Sequence, residues 1–278
     1  MNKTAIKTFA IWARNKLIDD ITYKAGLLGI TDKEIKTPLP QSTSTVQFFD
    51  IGTKEPYAIT GNDVEQRRKL VEALVNKDTD HATAFKNLVE EVAYTWFNRL
   101  IAVRFMEVND YLPTRIRVLS SESPGKREPD LVTHPFDAEL DYSESDKQQI
   151  AHLQEHNLWD ELFRMLFIKQ CNALNAVLPE LFEKTNDYTE LLMNVSFTDQ
   201  DGVVFHLVND IEEDDFNVEK EGQVEIIGWL YQAYITEINE LVYDGSMSRV
   251  KITKELLPAA TQLFTPDWPI RYLSLIHI

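Results

Sequence analysis

The sequence predicts a mainly α fold: a multi-helix region carrying one or two small β-hairpins. Three observations lead there. Only 9 Gly and 11 Pro interrupt the 278 residues. Apolar residues recur every three or four positions over most of the chain, the period of a helix with one buried face. One stretch, AFKNLVEEVAYTWFNRLIAVRFMEVNDYL (84–112), runs without Gly or Pro until Pro113. At roughly 1.5 Å per residue it makes a helix on the order of 40 Å long. Phe85, Leu88, Val92 and Trp96 share one face, and Val89, Ala93, Phe97, Leu100 and Ile101 an adjacent one. From Val92 to Met106 apolar residues nearly encircle the axis, which marks a helix covered by neighbours on most sides. Arg104 and Glu107, three apart, are spaced to pair, and Arg99 to snorkel.

Ahead of this spine, residues 3–28 read as a first helix with Ile6, Phe9, Ala10, Ala13, Leu17 and Ile21 on its apolar face. Gly26 and Gly29 loosen its end, and Pro38 and Pro40 open a loop. Val46, Phe48 and Ile51, then Tyr57 and Ile59, flank Gly52-Thr53-Lys54-Glu55-Pro56, the pattern of a small hairpin or two extended segments. Asp63, with Gln66 three on, is placed to cap a helix that reaches about Asn76 and carries Arg67, Arg68 and Lys69 outward. Residues 77–83 read as a loop into the spine.

Past Pro113, residues 114–141 are irregular, and the turn-rich Ser120-Ser121-Glu122-Ser123-Pro124-Gly125 marks the place for an internal boundary. Ser143 and Asp146 have capping-box spacing for a helix to His156. Residues 159–175 give a strongly apolar helix, and a shorter one is expected around 179–183. Val195 and Phe197 lead into Asp199-Gln200-Asp201-Gly202, and Val203, Phe205 and Leu207 lead away, which predicts a second hairpin near 195–208. Residues 212–215, four acids in a row, read as a solvated loop, and 225–242 as an amphipathic helix. The expected organisation is a helical subdomain at 1–117 and an acidic helical subdomain at 118–250. Residues 251–273 then lead toward a further domain, and 274–278 form a tail.

Charge divides the same way. Residues 1–117 carry 17 Lys+Arg against 15 Asp+Glu, a balance of +2, while residues 118–278 carry 11 against 30, a balance of −19. The second part repels nucleic acid on average, so phosphate contact is expected from the first. Its candidates are Lys3, Lys7, Arg14 and Lys16 on the first helix and Arg67, Arg68 and Lys69 further on; a solvated charged face explains the same residues. The single Cys171 sits in an apolar helical run and reads as a small buried hydrophobe of a reducing compartment. No charged-then-apolar leader and no run of about 18 apolar residues occurs, so a soluble cytoplasmic protein without a membrane partner is expected.

Catalytic motifs are absent. His152-Leu153-Gln154-Glu155-His156 matches a zinc-peptidase string, but its helix is hydrophilic and short, and no third ligand is apparent, so no metal is expected. No G-x-S-x-G, G-x-G-x-x-G or phosphate-binding G-x-x-x-x-G-K-[ST] is present.

Five stretches together carry a resemblance. They are AIKTFAIWARNKLIDDITYKAGLLGI, EEVAYTWFNRLIAVRFMEVNDYLP, LFRMLFIKQCNALNAVLPELFEKTNDYTELL, EIIGWLYQAY and AATQLFTPDWPIRYL. Over residues 1–273 the chain resembles the N-terminal region of the adenine-specific DNA methyltransferases of BREX phage-defence systems, the PglX type. The resemblance implies methyl transfer from S-adenosylmethionine to the 6-amino group of adenine in double-stranded DNA, with other BREX defence proteins as partners. Such chemistry uses an extruded base, an N/D-P-P-Y/F motif and a Gly-rich cofactor loop. This sequence holds no Pro-Pro and no Gly-x-Gly, so no catalytic residue is expected here, and the chain reads as truncated before the Rossmann-like methyltransferase domain. Residues 274–278 leave the family pattern and resemble translated adapter sequence. Phe264, Thr265 and Pro266 resemble the segment lining the methionine end of the cofactor in these enzymes; a helix start with Thr as N-cap and Pro at the first position explains them too. A non-catalytic protein-interaction module of a defence complex is the second reading, suited to the acidic half.

Overall fold

A computed structural model describes residues 2–77, 80–179, 181–183, 188–220 and 225–235. Its elements in order are α1 (Lys3–Leu27), β1 (Val46–Phe49), β2 (Tyr57–Thr60), α2 (Asn62–Val75), α3 (His81–Val108), α4 (Asp130–Thr133), α5 (Glu144–Glu155), α6 (Trp159–Leu174), α7 (Tyr188–Leu191), α8 (Val203–Asn209), α9 (Glu213–Phe216) and α10 (Glu225–Tyr234). The fold is mainly helical, as the periodicity predicts. The hairpin is antiparallel, with Val46 opposite Thr60 and Phe49 opposite Tyr57.

The spine α3 is the core. Every residue from Arg99 to Val108 is buried, which is what the encircling apolar pattern requires. Its bounds differ from 84–112. Asp80 accepts from the Thr83 amide at 3.1 Å and starts the helix three residues early. At the other end Asp110 takes a left-handed φ of 56°, and the Tyr111 amide turns back to Met106 O at 2.8 Å, so the helix closes before Pro113 acts. Helices α1 and α10 cover one side of α3, with Phe97 packed between Phe9 at 6.5 Å and Tyr234 at 4.4 Å. Helix α6 covers another through Phe167, 6.1 Å from Trp96. The Trp96 indole is wholly buried and donates to Thr189 O at 2.9 Å. Buried residues on both sides of the 117/118 position join one hydrophobic core.

Other predicted elements need correction. Helix α2 starts at Asn62 behind Gly61, without the expected Asp63 cap: Gly61 occupies the cap at a φ of 59° and offers no side chain to the helix. Ser143 does form the expected capping box with Asp146. Residues 114–141 are not wholly irregular, because α4 and a 3-10 turn at Pro135–Ala138 lie within them. The described part of 179–183 is a turn, with the Leu181 and Phe182 amides both bonding to Leu178 O. The hairpin expected near 195–208 is a loop followed by α8. Asp160 draws the Phe197 and Thr198 amides to its carboxylate at 3.0 and 3.3 Å, which removes them from any strand ladder. Of the acids at 212–215, Glu212, Glu213 and Asp214 are exposed as expected, but the last three form the first turn of α9 rather than a loop, and Asp215 is buried and accepts from the Asn2 amide at 2.8 Å. The predicted helix 225–242 is described through Tyr234; its remainder, the lead-in segment 251–273 and the tail 274–278 lie outside the described residues. No helix among the described residues is long and apolar enough to cross a membrane.

Cys171 is buried in α6, as its apolar neighbours predict, and burial pushes its thiol up to about 12. The folded state therefore holds the proton more tightly than the unfolded chain does. The resulting stability is complete below the unfolded thiol's pKa near 9 and is lost as pH rises toward 12. At pH 10 the loss from this group is about 1.4 kcal/mol. Urea midpoints measured from pH 8 to pH 11 are expected to fall, and to fall less steeply in Cys171→Ala; parallel slopes would remove the assignment.

Candidate functional site

The candidate nucleic-acid surface rests on seven cations, and the structure places them in different environments. Lys3 lies over the Trp229 ring, 4.2 Å from its centroid. Lys7 is exposed on α1 and makes no ion pair among the described residues. Arg14 is nearly buried and pairs with Glu90 of α3. Lys16 bonds Asp20 at 2.9 Å one turn on. That bond, ahead of the opposing effect of burial, raises its pKa, with Asp199 and Asp201 adding to the rise. Arg68 is exposed but bridges Glu65 and Glu72 along α2. Lys69 is half-buried on the same helix.

Arg67 corrects the sequence reading most directly, since it does not point outward. Its side chain enters the space between α2 and the turn after α1. There Nε donates to Leu28 O and Nη2 to Lys36 O, both at 2.8 Å. The guanidinium lies 4.0 Å from the Phe49 ring centroid, a cation–π contact. Gly29 makes room for this arrangement: at a φ of +70° a Cβ there would meet Lys36 Cβ and the Phe49 ring at 3.1 Å. Burial lowers the Arg67 pKa to about 10, still cationic at neutral pH. It ties the hairpin and first loop to α2 and is out of reach of a phosphate.

A second charged group is built at the C-terminal end of α3. Arg104 and Glu107 pair at 2.7 Å, as their spacing predicts, with side chains exposed by only 1% and 0%. Glu107 also accepts from the Val118 and Leu119 amides at 2.7 and 2.8 Å and from Ser120 Oγ at 3.0 Å. At the rim Arg117 holds Glu213 of α9 through two bonds, of 2.7 and 3.0 Å. Arg117 holds the Glu213 carboxyl below the usual carboxylate range, and Arg104 adds to the effect. Sequence reasoning found the i,i+3 pair but missed Ser120, Arg117 and Glu213, which no local spacing connects to it.

A polar cleft of about 860 Å³ runs beside α2 and α6. Two polar pairs lie in its lining: Lys169 with Asp146 at 2.8 Å, and Gln66 donating to Glu190 at 3.1 Å. Its lining contains no Ser, Cys or His, so it presents no Ser–His or Cys–His pair. His152 and His156 stack at 4.2 Å, and His156 Nδ1 bonds His152 O at 2.8 Å. Among the described residues no group of three or more His, Cys, Asp or Glu could hold a metal ion. Phe264, Thr265 and Pro266 lie outside the described residues.

No protein-family model matches the chain. Two curated proteins do. The chain is 47% identical over 281 aligned positions to the adenine-specific methyltransferase PglX of Lacticaseibacillus casei (strain Zhang), covering 98% of this chain and 22% of that protein. It is 37% identical over 277 positions to the adenine-specific methyltransferase BrxX of Escherichia coli O9:H4 (strain HS), covering 98% and 21%. The chain thus spans about a fifth of the length of these relatives. Along nearly its whole length it matches a region of the adenine-specific methyltransferases PglX and BrxX.

Proposed function

We propose that this chain is the helical N-terminal region of a site-specific DNA methyltransferase of BREX phage defence. In the whole cytoplasmic protein, methyl passes from S-adenosylmethionine to the adenine 6-amino group of double-stranded DNA, alongside other BREX defence proteins. The single observation carrying this reading is the 47% identity to PglX across 98% of the chain. Within the whole protein this region serves as scaffold and contact platform, and it supplies no catalytic group. Phe264, Thr265 and Pro266 form one wall of the cofactor site, at the methionine end. Phosphate contact falls to Lys7 first, with Lys3, Lys16, Arg68 and Lys69 behind it, because Arg14 and Arg67 are held inside the fold.

A second reading, a protein-interaction module without a direct DNA role, is favoured by one specific observation. Most of the candidate cations already have internal partners. Calorimetry with S-adenosylmethionine and retention of duplex DNA at graded salt test both readings, on this chain and on a longer chain carrying the full methyltransferase domain. Cofactor binding by the longer chain alone, with a steep salt slope that Lys7→Glu flattens, is the expected result. Absence of cofactor and DNA binding in the longer chain would leave the interaction module as the function.

A further inference from the structure

Helices α1 and α8 leave an apolar recess between them, of about 490 Å³, lined by Ala5, Thr8, Phe9, Trp12, His206 and Asp210 among others. Its floor is preformed. The Trp12 and His206 rings meet with centroids 4.3 Å apart, and His206 Nδ1 is tied to Asp210 at 2.7 Å. Phe9 beneath them is fixed in the core against Phe97. An aromatic recess whose side chains are already ordered loses little conformational entropy on binding, a property of interface anchor sites.

Acidic residues stand at both ends of α8: Asp210 lines the recess, and Asp199 and Asp201 lie beyond it before the first turn. Asp210 follows the last turn of α8 and is 53% exposed. Asp199 and Asp201 precede its first turn and are exposed. They lie near the Lys16–Asp20 pair of α1, where their charges add to the rise in the Lys16 pKa that the Asp20 bond leads. Three carboxylates, Asp20, Asp199 and Asp201, thus lie near the single Lys16 ammonium at this end of α8. The seven residues of α8 set its two acidic ends on the order of 10 Å apart, which an extended segment spans in about three residues.

We propose that the α1–α8 recess docks a segment of a partner protein in which one large apolar side chain is flanked closely on both sides by Lys or Arg. The apolar side chain fills the recess over Trp12 and His206. One flanking cation meets Asp210, and the other meets Asp199 and Asp201. Complementarity of the flanking cations to Asp210, Asp199 and Asp201, together with the apolar floor, favours this occupant. The site goes beyond the methyl-transfer reading and stands or falls separately from it.

The test uses the 278-residue chain and a fluorescein-labelled nine-residue peptide with a central Phe and two Lys on each side, read by anisotropy. Saturable micromolar binding is expected. It should weaken at least tenfold when the Phe becomes Ala, and again when the Lys become Glu. Thr8→Trp, from an exposed position on α1, fills the recess and abolishes binding. Asp201→Lys combined with Asp210→Lys weakens it at least tenfold without touching the core. Circular dichroism confirms that each variant is folded, and either one alone decides the matter. Absence of peptide binding, equal binding of the Ala-centred peptide, or duplex DNA bound by the same residues would each overturn the proposal.

Discussion

Glu107→Ala is expected to cost about 3–5 kcal/mol of folding stability, the range for breaking a buried ion pair on one side. The carboxylate does three things at once. It neutralises Arg104, accepts from Ser120 Oγ, and receives the amides that begin the chain's course away from α3. Alanine leaves a guanidinium that is 1% exposed without its buried counter-charge, and two buried amides without acceptors. The Glu213 carboxylate, 3.4 Å from Arg104 and already committed to Arg117, is too far and too exposed to substitute. In urea, a loss of this size moves the midpoint by roughly 1–2 M. Arg104→Met combined with Glu107→Gln removes both charges while keeping an acceptor for the Val118 and Leu119 amides, and should recover more than half of the loss. An unshifted midpoint in the single variant would show that the network carries little of the fold.

Arg67→Glu is the second large effect, about 3 kcal/mol or more, against a much smaller one for Arg68→Glu beside it. The contrast follows from position alone. Arg67 supplies two carbonyls, Leu28 O and Lys36 O, with their donors, and a carboxylate there faces two acceptors and the Phe49 ring. Arg68 faces water between two glutamates. Arg67→Lys should recover little, because one ammonium cannot reproduce a planar fork that reaches two carbonyls from one side chain. Urea unfolding of the four proteins side by side measures this. Equal stability of the Arg67 and Arg68 variants would refute the buried assignment. Any loss of DNA retention in an Arg67 variant then reports a damaged fold, and Lys7 is the residue at which phosphate contact is fairly tested.

The legible parts of the fold were those written in local spacing. The periodicity of α1, α3 and α6, the Ser143–Asp146 box and the alternation around Gly52 all act within a few residues, and each element is present, with the ends of α3 shifted by three or four residues. Residues 203–208, VVFHLV, are too short a run for period two and period 3.6 to be told apart. Gly202 misled for a physical reason. Its φ is −84°, outside the left-handed region that a tight hairpin turn uses, and what excludes a side chain is Asp199 O, 2.9 Å from where a Cβ would sit. Arg67 carried a signal that went unused: Leu70 and Leu74 follow it at three and seven, so it shares the buried face of α2, while the adjacent Arg68 does not. The partners of Glu107 and Arg117 come from segments distant in sequence, and no spacing rule reaches them. The candidate cofactor contacts were legible only through resemblance, because Thr265-Pro266 is equally an ordinary helix start.

The seam between α1 and α10 has a temporal consequence. Asn2 is joined to Asp215 across 213 residues, and α10 lies beyond that point in the chain. At a ribosomal speed of about 5–20 residues per second, those residues take roughly 10–40 s to appear. For that interval the apolar stripe of α1 faces solvent without the cover that α10 later supplies. Nascent-chain chaperones therefore have a long window on α1, and synonymous changes that slow translation between α1 and α10 would lengthen it without altering a single side chain.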